Sequence, residues 1–155
     1  MTPASPSITQ LPQLASIPAG NPQVERLYSA LKKGNNADFA ACLAENPHLH
    51  VNIRTEEFGS TMLMSVVSGS IELERVQWLI AQGADPALVD HSGRTALMRA
   101  LGSPGFSAPL CLWLLDQTPD IHARDAKGKS ALSYAIKHDR LELVDAILAR
   151  MPPLD

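Results

Sequence analysis

Only two cysteines, Cys42 and Cys111, occur in 155 residues, and no Cys-x-x-Cys pair is present. That excludes a disulfide scaffold and removes the usual zinc and redox spacings. A reduced, cytoplasmic setting is the default expectation. Long apolar runs are absent too: "PLCLWLL" is far too short to span a bilayer. There is no excess of positive charge, since 13 Lys and Arg stand against 16 Asp and Glu for a net charge of −3. Broad attraction to nucleic acid or to a membrane surface is therefore not expected. The length suits one domain with a real core.

Charge is missing altogether from residues 1–24, where Pro3, Pro6, Pro12, Pro18 and Pro22 fall instead. Each proline fixes φ, removes an amide donor and pushes its predecessor out of the helical region. Residues 1–22 are thus expected to be a flexible Pro/Ser-rich tail. They have neither the basic start nor the continuous apolar segment of a secretory signal peptide. Their acid-poor, Ser/Thr/Pro-rich make-up resembles the N-termini of bacterial effectors exported by needle-type secretion systems. Export into a host cell is therefore the alternative to a cytoplasmic location.

What is present is a recurrence. "DHSGRTALMRAL" begins at Asp90 and "DAKGKSALSYAI" at Asp125, and "EFGSTMLMSVV" puts Gly59, Thr61 and Leu63 in matching places. The glycines lie 34 and 35 residues apart, as do Thr61, Thr95 and Ser130. A fixed period of this size marks a repeat architecture. The triplet Gly128-Lys129-Ser130 could be the end of a nucleotide-binding loop, which is the enzymatic alternative. Such a loop needs a glycine five residues earlier, where Ala123 stands, and a buried strand leading in. Both requirements fail, and the triplet reads as one member of the repeat series.

Each part of the repeat has a physical task. Asp90 and Asp125 accept amide hydrogen bonds at a turn, and Gly93 and Gly128 supply positive φ. Thr95 and Ser130 cap the helix that follows. Leu97, Ala100 and Leu101 then share a face, as do Leu132, Ala135 and Ile136. Second amphipathic segments follow at 73–80, 109–116 and 141–149.

This unit of turn, short helix, turn and longer helix resembles the ankyrin repeat. "VQWLIAQGADP" is similar to the family's second helix and its Gly-Ala-Asp ending, and "ERLYSALKKGNNADFAACLAENP" looks like a worn first copy. The resemblance implies an all-α, ankyrin-type solenoid over residues 23–151, with repeats near 23–54, 55–89, 90–124 and 125–151 and short hairpin-like turns between them. The family's Thr-Pro-Leu-His becomes Thr61-Met-Leu-Met64, Thr95-Ala-Leu-Met98 and Ser130-Ala-Leu-Ser133, which loses a preorganised proline and a tying histidine. Thr118-Pro119 replaces Gly-Ala, so that helix must end differently. The turn "GSPGFSAP", 102–109, is expected to be irregular, and the first tip is one residue longer than its counterparts.

Stacking places Cys42 and Cys111 two layers apart, beyond disulfide reach, so both are expected to be free. Trp78 and Trp113, at matching positions, read as core rather than as a ligand platform. Pro152-Pro153 is expected to stop the last helix, with Glu142, Asp145 and Arg150 wetting its outer side and no catalytic domain appended. His48-x-His50 lacks further ligands at a metal spacing, so no metal is expected. Ser130, His138 and Asp139 lack triad geometry, because Ser130 is a cap. No cofactor, small-molecule substrate or catalysis is expected.

What the resemblance implies instead is protein–protein interaction through a concave surface of turn tips and first helices. The tip candidates are Glu56, Glu57, Phe58, His91, Ser92, Arg94, Lys127 and Lys129. Those on first helices are Ser65, Arg99, Tyr134, Lys137 and His138. Arg94, Arg99, Lys127, Lys129 and Lys137 would form a basic groove for an acidic stretch of partner protein, with Tyr134 as anchor. The role would be that of a secreted effector or of an inhibitor or immunity-type partner.

Overall fold

The computed structural model describes residues 16–18, 20–69 and 71–151. Among the described residues eight helices form four pairs: α1 (Pro22–Lys33) with α2 (Asn36–Glu45), α3 (Met62–Val67) with α4 (Leu73–Ala81), α5 (Ala96–Leu101) with α6 (Ala108–Gln117), and α7 (Ala131–Lys137) with α8 (Leu141–Arg150). Inner helices α3, α5 and α7 touch in succession, and outer helix α6 touches α8. The result is an all-α stack of layers, as the period requires.

The one sheet among the described residues is a parallel pair of two-residue strands, β1 (Ser16–Ile17) and β2 (Arg54–Thr55). β1 falls inside the stretch expected to be a flexible tail, whose residues 1–15 and 19 lie outside the described residues. Helix α1 already begins at Pro22. Asn21 caps it by accepting the amides of Gln23 and Val24, and proline in the first turn forfeits no hydrogen bond there.

The inner helices start where the sequence places their caps. The Thr61 hydroxyl accepts the Met64 amide at 3.3 Å, and Thr95 accepts that of Met98 at 3.3 Å. Ser130 accepts from Ser133 while the Ser133 hydroxyl accepts the Ser130 amide, a reciprocal capping box.

The turns before these caps join into a ladder along one edge of the stack. Gly59, Gly93 and Gly128 have φ of 66°, 76° and 75°. The His91 amide donates to the Phe58 carbonyl, and the Ala126 amide to the Ser92 carbonyl, each at 2.9 Å. Successive tips therefore bond backbone to backbone. The left-handed φ favours glycine at Gly59, and a Cβ there would also have to displace the exposed His91 ring, 2.4 Å away.

Leu27, Leu31, Phe39, Leu63, Leu97 and Leu114 are among the fully buried side chains of one continuous core. Trp78 and Trp113 are half-buried and pack against that core. Trp78 meets Phe39 of the first pair edge-on, with ring centroids 5.0 Å apart. Cys42 and Cys111 are free and buried, and burial pushes the Cys111 thiol up to about 12.

The irregular turn between α5 and α6 is fastened from outside. The Ser103 hydroxyl donates to the Ser68 carbonyl of the preceding layer. From the following layer, Arg140 donates to the carbonyls of Leu101 and Ser103 at 3.1 and 3.2 Å. Its guanidinium also lies 4.0 Å from the centre of the Phe106 ring. Helix α6 then ends without glycine, because Thr118 takes an extended conformation and its hydroxyl donates to the Leu114 carbonyl.

The last layer carries the expected charges and apolar surface besides. Glu142, Asp145 and Arg150 are exposed, and Arg150 pairs with Asp116 of the preceding layer. Ile136, Leu141 and Leu148 remain 57%, 71% and 50% exposed, so apolar side chains stand on this side beside the exposed charges. Pro152-Pro153 lie outside the described residues.

Candidate binding surface

The tips are rigid because each is built around a carboxylate. Asp90, 4% exposed, accepts the amides of Ser92 and Arg94 through Oδ1, both at 2.9 Å. Its Oδ2 receives Nε of Arg94 at 3.1 Å and Nε of Arg99 at 3.0 Å. Arg99 reaches on to the Ser60 hydroxyl at 2.7 Å, tying this tip to the preceding layer. Burial pushes the Asp90 carboxyl up, but the Arg94 amide and the two guanidinium groups outweigh it and hold the carboxyl below its usual range.

The next layer repeats the device with a different donor. Asp125 accepts the amides of Lys127 and Lys129, each at 2.9 Å, and its Oδ2 receives the Tyr134 hydroxyl. That hydrogen bond, first among the causes, depresses the Asp125 carboxyl. Burial, and then the bond to Asp125, push the Tyr134 phenol up to about 12. In the longer first tip, Thr55 stands in: its hydroxyl accepts the Ser60 amide at 3.2 Å.

These contacts sort the sequence candidates. Glu56, Glu57, Phe58, His91, Ser92, Lys127 and Lys137 are exposed, with Phe58 at 57%. Lys127, Lys129 and Lys137 make no ion pair among the described residues. Arg94, Arg99 and Tyr134 are half-buried, and their polar ends hold Asp90 and Asp125 in place. The expected continuous groove of five cations is therefore partly neutralised from within. Ser65 is half-buried on α3. His138 is half-buried and stacks nearly parallel to Tyr134, with centroids 6.5 Å apart, its ring facing Gly102. Gly128-Lys129-Ser130 forms the fourth tip. There the Lys129 amide is held by Asp125, the Gly128 carbonyl by Arg124 and the Ser130 hydroxyl by the capping box.

Sequence reasoning missed Tyr28. It lines a hollow of about 400 Å³ between α1 and α3, together with Ser29, Lys32 and Ser65. The buried Tyr28 hydroxyl has no hydrogen-bond partner among the described residues, and burial raises the phenol well above its ordinary value. Aligning the core leucines Leu27, Leu63 and Leu97 puts Tyr28 level with Met64 and Met98. That register was the available signal, but the worn first repeat obscured it.

Stacked helix pairs whose edge is a ladder of preformed tips define a helical-repeat scaffold. Among the described residues no group of His, Cys, Asp and Glu could hold a metal, and no helix is long and apolar enough to cross a membrane. The family model described as ankyrin repeats (3 copies) matches residues 27–125 and 72–153, and the chain belongs to the ankyrin-repeat family. It is 30% identical over 93 residues to ankyrin repeat domain-containing protein 63 from Homo sapiens. That match covers 57% of this chain and 24% of the human protein, so the chain spans about a quarter of its relative. Ankyrin repeats are generally protein–protein interaction modules and typically not enzymes.

Proposed function

We propose that this chain is a non-catalytic binding module that holds a partner protein on the side formed by its tips and inner helices. The observation that carries the reading is the pair of carboxylate-centred tips, Asp90 and Asp125, which fix the backbone before any partner arrives. A surface ordered in advance loses little conformational freedom on binding. Around these tips Phe58 offers an apolar anchor, and Lys127, Lys129 and Lys137 offer cations with no internal ion pair. That combination suits a partner segment carrying acidic residues beside an apolar side chain. Arg94 and Arg99 act as supports for Asp90 rather than as primary contacts.

Fluorescence anisotropy with labelled acidic peptides that contain a single aromatic residue tests this. The K127E/K129E/K137E variant should lose at least about tenfold in affinity, and the wild-type affinity should fall with added salt. An unchanged affinity in the variant would reject the surface. The biological role follows one of two lines, an exported effector addressed by residues 1–22 or a resident inhibitor that covers an enzyme. Deletion of residues 1–15, which spares β1 and the Asn21 cap of α1, separates them by its effect on export with peptide binding intact.

A further inference from the structure

We propose that the hollow between α1 and α3 receives one acidic side chain of the partner segment, an inference that rests on the tips and inner helices being the binding side. The basis is a comparison of equivalent positions within the molecule. Four residues beyond the caps Thr61, Thr95 and Ser130 stand Ser65, Arg99 and Tyr134. Arg99 and Tyr134 are long, and each donates to the carboxylate of its own tip, Asp90 or Asp125. The first tip has no such carboxylate, since Thr55 stands in. Ser65 is correspondingly short, and a short side chain at this position leaves the hollow beside it open. The second layer thus lacks both the internal carboxylate and its long donor.

The lining suits a carboxylate brought from outside. Tyr28, Ser29 and Lys32 of α1 face Ser65 and Val66 of α3 across a hollow of about 400 Å³. Lys32 is exposed and makes no ion pair among the described residues, and the Ser29 and Ser65 hydroxyls make no hydrogen bond there. The buried Tyr28 hydroxyl, equally without a partner among these residues, has forfeited its hydrogen bonds to water and gained none in return. Phenylalanine would fill the same volume without that cost. A carboxylate entering the hollow offers the hydroxyl an acceptor, with the ring swinging toward it.

Charge decides the ionic form and its place. Glu25 also lines the hollow, but it lies seven residues, about 10 Å, before Lys32 along α1. The incoming carboxylate therefore sits at the Lys32 end, and Glu25 weakens the site. Arg99 acts on the Tyr28 phenol with the opposite sign to Glu25, so two cations stand against one anion. A second hollow of about 20 Å³ shares Tyr28 and Ser65 but has room for about one water, so the side chain enters the larger one.

Fluorescence anisotropy with the acidic peptides, and with the same peptides carrying amides in place of the acids, tests the proposal alongside thermal melts of the full chain. Tyr28→Phe should weaken the acidic peptide at least about threefold, the worth of one hydrogen bond, yet melt at or above the wild-type temperature. Lys32→Gln should weaken it as well, and Glu25→Gln should strengthen it. The amide peptides should be indifferent to all three changes. Ser65→Tyr fills the hollow as Tyr134 fills its own layer, so adding Tyr28→Phe to it should have no further effect on binding. A Tyr28→Phe protein that binds the acidic peptide as the wild type does overturns the proposal. So does one that melts markedly lower, which makes the hydroxyl a structural group. If K127E/K129E/K137E still loses the peptide in either case, the tips stand as the binding side and only the hollow is lost. Tight binding that appears only after deletion of residues 1–15 gives the hollow to the chain's own N-terminus and likewise overturns the proposal.

Discussion

Asp90 shows how much one side chain can organise. It holds two backbone amides and two arginines while almost fully buried. Because its folded pKa is depressed, it contributes stability above the unfolded value, about 3.9, and loses it as pH falls through the folded value. Asp90→Asn keeps an oxygen for the amides but removes the charge that Arg99 needs. We expect a loss of about 3 kcal/mol at pH 7, as when one partner of a buried pair is removed. The melting temperature of the variant should also fall less steeply than that of the wild type below pH 5. Equal acid slopes in parallel thermal melts would assign the wild-type acid sensitivity to other carboxylates. The turn role of Asp90 was legible in the sequence, since Asp-x-x-Gly is local chemistry. Its hold on Arg99 was not, because a carboxylate and a donor nine residues apart meet only after the helix between them has formed. Tyr134 and Asp125 repeat that spacing, and the equivalence is visible only once the two layers are superposed.

At the scale of elements, the helices that read most clearly are those started by a capping hydroxyl. Thr61, Thr95 and Ser130 each satisfy an amide that the helix itself cannot. The turn between α5 and α6 was legible only as irregular, because Gly102, Pro104 and Gly105 permit many paths and select none. Arg140 selects one, with two hydrogen bonds to carbonyls and its guanidinium over Phe106. Replacing Arg140 by alanine should cost about 2 kcal/mol. Faster hydrogen exchange should be confined to residues 102–107 and the start of α8. Lysine should recover little of this, since it lacks the planar fork that bonds and stacks at once. Full rescue by lysine would mean that charge alone holds the turn.

For the whole molecule, neighbour-only contact makes stability close to a sum over layers. The period of 34 to 35 residues made that arrangement legible. The finish of the stack was legible in part: Glu142, Asp145 and Arg150 do stand exposed, while helical phase also puts Leu141 and Leu148 beside Asp145. Two equivalent truncations distinguish a sum of layers from a single cooperative block. Leu114 and Ile147 are both fully buried and occupy matching turns of α6 and α8. Each change to alanine removes a similar volume, at about 2–5 kcal/mol. Leu114 has a layer on either side, so Leu114→Ala should lower exchange protection in α5 through α8 together. Ile147→Ala weakens only the last layer, so protection should drop in α7 and α8 and persist in α1 through α4. If Ile147→Ala lowered protection equally everywhere, the layers would be too strongly coupled to fray singly. Leu141 and Leu148, exposed on the last pair, would then be carried by a rigid block rather than by its most easily released layer.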